Sequence, residues 1–226
     1  MPKLGTRKLY SLLQGQMQAH GIKMGRDGMF AVLREHAMLQ QPKKRYIQTT
    51  NSKHWLRKYP NLVKDVAIVR KDQVWVSDIT YVRTEQGFFY LSMITDAYSR
   101  KIVGSAVSPS LSAEVCSLAL QEAIRGRKGT EKLIHHSDRG IQYCSKEYVE
   151  ILKSQGIQIS MTENGDPYEN ALAERMNRTI KEEFFGEGKF TDGKILQMVA
   201  RESIGIYNRE RPHLSLGMKT PEEVYR

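Results

Sequence analysis

The stretch Gln73-Val74-Trp75-Val76-Ser77-Asp78-Ile79-Thr80-Tyr81-Val82 decides the fold class. It is dense in β-branched and aromatic residues and lacks Gly and Pro, so it reads as a strand. Alternation puts Val74, Val76, Asp78, Thr80 and Val82 on one face. A carboxylate among valines in mid-strand is costly unless something compensates its charge, and a divalent metal ion would do so. Downstream, Glu85-Gln86-Gly87 is a turn and residues 88–96 form a second strand. Tyr98-Ser99-Arg100 turns into a third, 101–107, which completes an antiparallel meander.

The pattern then alternates. An apolar-striped helix over 111–125, capped by Ser110 or Ser112, leads to a short strand over 131–135. A helix at 145–155 and a strand at 157–161 follow. The next helix begins at Asp166, a good N-cap, with Pro167 as its first residue, and Gly186 offers a stop after Phe185. The order β-β-β-α-β-α-β-α is that of an α/β, ribonuclease-H-like fold: a mixed five-strand sheet flanked by helices. Residues 191–208 read as a last helix.

On the helix from Asp166, Asn170, Glu174, Asn177 and Lys181 share one polar stripe. Leu172, Ala173, Met176, Ile180 and Phe184 form the apolar face beside it. Asp78 lies in the first strand, Asp138 just beyond the carboxyl end of the fourth, where α/β sheets bind ligands, and Glu174 on this helix. Fifty-nine residues separate the aspartates and thirty-five separate Asp138 from Glu174. Three such carboxylates can hold two Mg²⁺ ions about 3.5–4 Å apart, with Mn²⁺ as a substitute, for in-line phosphodiester displacement.

Upstream, two short helices are expected over 4–20 and from Asp27 to about Leu39, around Gly21-Ile22-Lys23-Met24-Gly25. They resemble a helix-turn-helix. The chain divides into a helix-turn-helix-like DNA-binding segment (1–40), a basic linker (41–70), the catalytic core (71–186) and a C-terminal helical tail (187–226). Residues 1–60 hold 12 Lys and Arg against only Asp27 and Glu35, so the whole net charge of +10 falls there. A basic segment on a neutral domain points to a polyanion, nucleic acid above all. Lys43, Lys44 and Arg45 would track phosphates. No apolar run approaches the about 18 residues of a membrane span. Cys116 and Cys144 have no metal-type spacing and suit a reducing cytoplasm.

Trp75-x-x-Asp78-Ile79-Thr80-Tyr81, His136-Ser137-Asp138-Arg139-Gly140-x-Gln142-Tyr143, Asn170-Ala171-x-x-Glu174 and Tyr207-Asn208-x-x-Arg211-Pro212-His213 carry a resemblance. Together they resemble the signatures of the insertion sequence 3 family of bacterial transposases, from about Thr6 to Glu223. The resemblance implies a retroviral-integrase-type core whose metal ligands are Asp78, Asp138 and Glu174, with Lys181 as the basic residue seven places after the glutamate. It implies strand cleavage at the 3′ end of an element in double-stranded DNA, then transesterification, at the bacterial nucleoid in the cytoplasm. It further implies an oligomer on DNA and a partner in the upstream first-frame helix-turn-helix protein, this chain corresponding to the second-frame product and beginning partway into it.

Other residues have simpler expected roles. Lys181, Arg178, Asn170 and Arg139 are candidates for DNA contact, Asn170 alternatively for orienting Glu174. Asp96 suits a turn or an ion pair with Arg100. His135, His136, Trp75 and Trp55 suit packing, and Gln142 and Tyr143 would shape the site. Arg211 and His213 fit a cap or a DNA contact equally. Two other readings remain from sequence: a non-catalytic DNA-binding repressor derived from a truncated transposase, and a ribonuclease-H-type nuclease.

Overall fold

The computed structural model describes residues 4–39, 54–163, 170–186 and 189–226. At its centre, β1 (Val74–Thr84), β2 (Gly87–Asp96) and β3 (Ile102–Ser108) form the expected antiparallel meander. Two short strands, β4 (Ile134–Ser137) and β5 (Gln158–Met161), continue the sheet in parallel, giving the order β3-β2-β1-β4-β5.

The alternation of β1 sorts its side chains between two cores. Trp75 is fully buried with Val115 and Leu120 of α3 (Ala113–Gly126) and with Tyr148 and Leu152 of α4 (Lys146–Ser154). On the other face, Val74 and Val76 pack with Ala173 of α5 (Ala171–Thr179), while Val82 joins Met176, Ile180 and residues of α6 (Gly193–Glu210). Each fully buried side chain of this size contributes roughly 1.5–3 kcal/mol relative to exposure. Gly104 lets α3 lie directly on β3, because a Cβ there would collide with the Ala119 carbonyl.

Helix α5 runs on into a π-helical turn, Ile180–Phe185, closed by Gly186 at φ 60°. That is the stop expected from sequence. Asp166 and Pro167, expected to start this helix, lie outside the described residues.

Among the described residues, two boundaries differ from expectation by three residues or more. The fourth strand, expected over 131–135, spans Ile134–Ser137. Its exposed neighbours Glu131 and Lys132 have no place in the sheet, whereas His135, His136 and Ser137 are buried between β1 and β5. The second N-terminal helix, α2 (Arg26–Glu35), stops before Leu39. Ala37 takes φ 54° and Met38 N–H donates to the Leu33 carbonyl at 2.7 Å, a Schellman-type closure that needs no glycine here. Helix α1 (Thr6–Ala19) packs against α2 through Met17, Met29 and Leu33, with Leu9 and Leu13 beside them.

Residues 54–70, expected as part of a linker, lie along the sheet. Leu62 N–H donates to Ser160 Oγ at 2.8 Å and Met161 N–H to the Pro60 carbonyl at 3.3 Å. Leu56 and Tyr59 pack on the core, but Trp55 is 92% exposed. The expected packing role of Trp55 is therefore wrong: its neighbours Leu56 and Tyr59 take the inward positions. Lys43, Lys44 and Arg45 lie outside the described residues.

At the C-terminal end, α6 contributes Leu196, Ala200, Ile204 and Tyr207 to the core. Helix α7 (Pro221–Tyr225) starts on a Thr220/Glu223 capping box. Tyr225 OH donates to the Asp72 carboxylate (2.9 and 3.0 Å), which fastens α7 beside the start of β1. No described helix is long and apolar enough to cross a membrane.

Candidate active site

β1 and β4 pair in parallel with Ser77 opposite Ser137. Asp78 and Asp138 are the next residue after each of these serines, so they lie side by side, Asp78 in the middle of β1 and Asp138 just past the carboxyl end of β4. Both line a groove together with Thr80, Tyr81, Gly140 and Tyr143. Helix α5 crosses β1 and carries Glu174 on its exposed side.

Each carboxylate is held differently. Asp78 Oδ1 accepts the Ile79 N–H at 2.9 Å and Oδ2 accepts Asn177 Nδ2 at 2.8 Å. Asp138 Oδ1 accepts the Gly140 N–H at 2.9 Å, an Asx turn that shapes the loop after β4. Glu174 is placed by its helix, whose start is tied to β1 by Asn170 Nδ2 donating to the Ser77 carbonyl at 3.1 Å.

Their charges are coupled. Burial pushes the Asp78 carboxyl up to about 7, and the negative charge of Asp138 pushes in the same direction. The Ile79 and Asn177 hydrogen bonds pull it back, while Glu174 adds a smaller push upward. Glu174 is itself raised, first by partial burial and then by Asp138. Among the described residues, no three His, Cys, Asp or Glu side chains are gathered closely enough to hold a metal ion as they stand. The donor chemistry nevertheless fits a hard divalent cation, since all three groups are carboxylates and their mutual repulsion is what a cation would relieve. Asn177 Oδ1 is a further buried oxygen with no hydrogen-bond partner among the described residues.

The other expected residues fall into place around this groove. Asn170 is 4% exposed and anchors the helix to β1, which gives it little access to DNA. Lys181 does not project freely. Its Nζ donates to the Tyr81 carbonyl at 2.9 Å and lies 4.5 Å from the centre of the Tyr81 ring. Burial draws its pKa below the usual lysine range. Arg178 is exposed on α5. Arg139 is half-buried; its Nε has no partner among the described residues, and its carbonyl oxygen lies 2.8 Å from His54 Nε2. Tyr143 is 2% exposed with its OH accepting from Ser77 Oγ at 3.1 Å, and Gln142 donates to the Leu111 carbonyl at 3.1 Å. Both shape the site.

Asp96 serves a turn. Its carboxylate accepts from the Asp72 N–H, the Ser99 N–H and Ser99 Oγ. His135 and His136 are buried, hydrogen-bonded to Tyr148 OH (2.9 Å) and Ser160 Oγ (2.8 Å). Arg211 proves to be structural. It is 4% exposed and grips Glu183 bidentately, Nε–Oε2 2.6 Å and Nη2–Oε1 2.7 Å, while Nη1 contacts His213 Nε2 at 2.9 Å. Asn177 is the residue whose role sequence reasoning missed. Its place on the polar stripe one turn after Glu174 was the available signal.

A ribonuclease-H-like sheet with carboxylates on two adjacent strands and on the helix crossing them defines a polynucleotidyl transferase core. Residues 69–167 and 155–221 each match a family model described as an integrase core domain. The chain belongs to the insertion sequence 3 family of transposases. It is 38% identical over 219 residues (96% of this chain, 79% of the relative) to an uncharacterized 31 kDa protein of insertion element IS600 from Shigella sonnei. It is 32% identical over 213 residues (93% and 74%) to the transposase InsF of insertion sequence IS3A from Escherichia coli K12. In fold it is similar to a chain of the simian T-cell lymphotropic virus intasome (TM-score 0.60, 17% identity, 98% of this chain and 74% of that one). It is likewise similar to the HTLV-2 integrase catalytic core domain in complex with magnesium (TM-score 0.55, 18% identity, 70% and 99%). The chain is thus a DNA transposase of the DDE class.

Proposed function

We propose that Asp78, Asp138 and Glu174 are the catalytic carboxylates and that they hold two divalent cations, Mg²⁺ with Mn²⁺ as a substitute. The observation that supports this most directly is the β1–β4 register, which sets Asp78 and Asp138 level on neighbouring strands below α5. When bound, such a pair of ions supplies activation of the attacking oxygen and stabilisation of the leaving one. The chain's own groups do the placing. The Ile79 N–H and Asn177 orient Asp78, the Gly140 N–H orients Asp138, and Asn170 fixes the helix that presents Glu174.

The reaction is a pair of in-line displacements at phosphorus. Water attacks a phosphodiester at the element's end, and the P–O3′ bond breaks to leave a 3′-OH. That hydroxyl then attacks a second phosphodiester, forming one P–O bond as another breaks. The substrate is double-stranded DNA, gripped by Arg139, Arg178, Lys43, Lys44 and Arg45, with Lys181 meeting it only by leaving the Tyr81 carbonyl, and the chain works as an oligomer on it. The upstream first-frame helix-turn-helix protein is a further partner, and the site of action is the cytoplasmic nucleoid. Neither the fold nor the relatives favour the repressor reading.

The test is strand transfer of labelled DNA carrying the element's ends, in Mg²⁺ or Mn²⁺. Asp78→Asn, Asp138→Asn and Glu174→Gln should each lose activity by about a hundredfold or more, since the three act as one unit, while still binding the ends. Wild-type transfer by any one of them would overturn the assignment.

A further inference from the structure

Segment 54–60 runs beside the catalytic loop with its side chains sorted in an unusual way. Leu56 and Tyr59 turn inward onto the core, and Trp55, Arg57 and Lys58 face solvent. Trp55 is the most exposed large apolar side chain described, at 92%. The backbone beneath it is not loose. His54 Nε2 lies 2.8 Å from the carbonyl oxygen of Arg139, the residue after Asp138, and the Pro60 carbonyl accepts the Met161 N–H. A strap fixed at both ends thus holds an indole ring out into water next to the end of β4.

The charge carried by the strap itself is of one sign. Residues 54–60 contain no carboxylate, and Arg57 lies 5.2 Å from the centre of the Tyr59 ring, which steadies its guanidinium. Burial and then the Asp138 carboxylate raise the Cys144 thiol, and Lys58 and Arg139 both oppose them, so both cations act on the same end of β4 as Asp138. An exposed flat aromatic surface on the same short strap as two exposed cations is the chemistry that binds an unpaired nucleotide: the ring stacks on a base and the cations hold neighbouring phosphates. A paired base inside a duplex offers no free face to stack on.

We infer that Trp55, Arg57 and Lys58 form a stacking platform for an unpaired base next to the phosphodiester handled at the catalytic groove. This rests on the reading of the chain as a DNA-processing enzyme and adds a contact that discriminates unpaired from paired ends.

Binding can be measured on the full chain in EDTA, so that the outcome does not depend on the carboxylates or on a metal. The chain has two tryptophans, and Trp75 is fully buried, so a change in quenchable tryptophan fluorescence reports Trp55. An end with a short single-stranded overhang should quench that emission, and the same end fully paired should not. Trp55→Ala should weaken the overhang end about tenfold and the paired end less than twofold, with Trp55→Phe restoring most of the difference. No quenching by the overhang, or equal weakening of both ends, would overturn the inference. So would a Trp55→Ala effect confined to self-association, which would make the ring a contact between copies of the chain. Triad variants that keep strand transfer would sink the catalytic assignment and leave this result standing.

Discussion

Asn177 shows how a single amide can decide the state of a site. Its Nδ2 gives the buried Asp78 carboxylate one of only two hydrogen bonds described for it, 2.8 Å long, from a helix that lies 99 residues away in sequence. The stripe containing Asn177 was readable from helical spacing, but its partner was not, because that depends on where α5 crosses β1. His135 carries a different consequence. Burial, with His136 beside it, draws its pKa down to about 3, so the folded protein keeps this ring neutral. Below the ordinary imidazole range the unfolded chain takes up a proton that the folded chain refuses. Stability should therefore fall as pH drops toward the folded value and be unaffected by this group above the ordinary one. Denaturant midpoints at about pH 7 and about pH 5 should drop less in His135→Gln than in the wild type. An equal drop in both proteins would exclude His135 as a source.

At the scale of elements, the tail motif around Tyr207 clamps the catalytic helix. Asn208 bonds both the N–H and the carbonyl of Ile102, each at 2.9 Å, so a side-chain amide plays the part of a neighbouring strand at the edge of the sheet. Tyr207 OH donates to the Arg100 carbonyl, and Arg211 pairs with Glu183 in the π-helical turn that extends α5. Burial alone would raise the Glu183 carboxyl, but the hydrogen bonds and charge of Arg211, then Lys8, bring it below the usual carboxylate range. Arg211→Ala leaves that carboxylate buried without its main partner and should cost about 3 kcal/mol in chemical denaturation. DNA affinity measured at a temperature where the variant is folded should be unchanged; weaker binding with intact stability would restore the DNA-contact role. The order of strands and helices was legible because each element carries its own period and its own turn residues. The roles of Asn208 and Arg211 were not, because their partners lie 106 and 28 residues away. The start of β4 was misplaced for a related reason: apolar content marks a buried strand, yet here two histidines and a serine are the buried residues.

For the molecule as a whole, charge is divided from chemistry. The excess of +10 sits in residues 1–60, ahead of a core that is neutral overall. Binding to duplex DNA should therefore weaken steeply with salt. Replacing Lys43, Lys44 and Arg45 together with glutamine should reduce the slope of log affinity against log salt by up to about 2.7, at roughly 0.9 for each phosphate no longer neutralised. An unchanged slope would show that these three side chains meet no phosphate.

The pairing of β1 with β4 has one more consequence, for the time before the protein is finished. Asp78, Asp138 and Glu174 come from the beginning, the middle and the last third of the chain's folded core. Asp78 and Asp138 become neighbours only when a parallel strand has crossed back to the sheet, and Glu174 arrives only with the helix laid over it. Parallel pairing of this kind is late, since the intervening loop must close first. On the proposed assignment, a chain still emerging from the ribosome, or one cut short before α5, lacks the glutamate altogether and has no assembled centre with which to nick the DNA around it. On that assignment the fold is a safety catch on a dangerous chemistry, released only once α5 has been made and laid over the sheet.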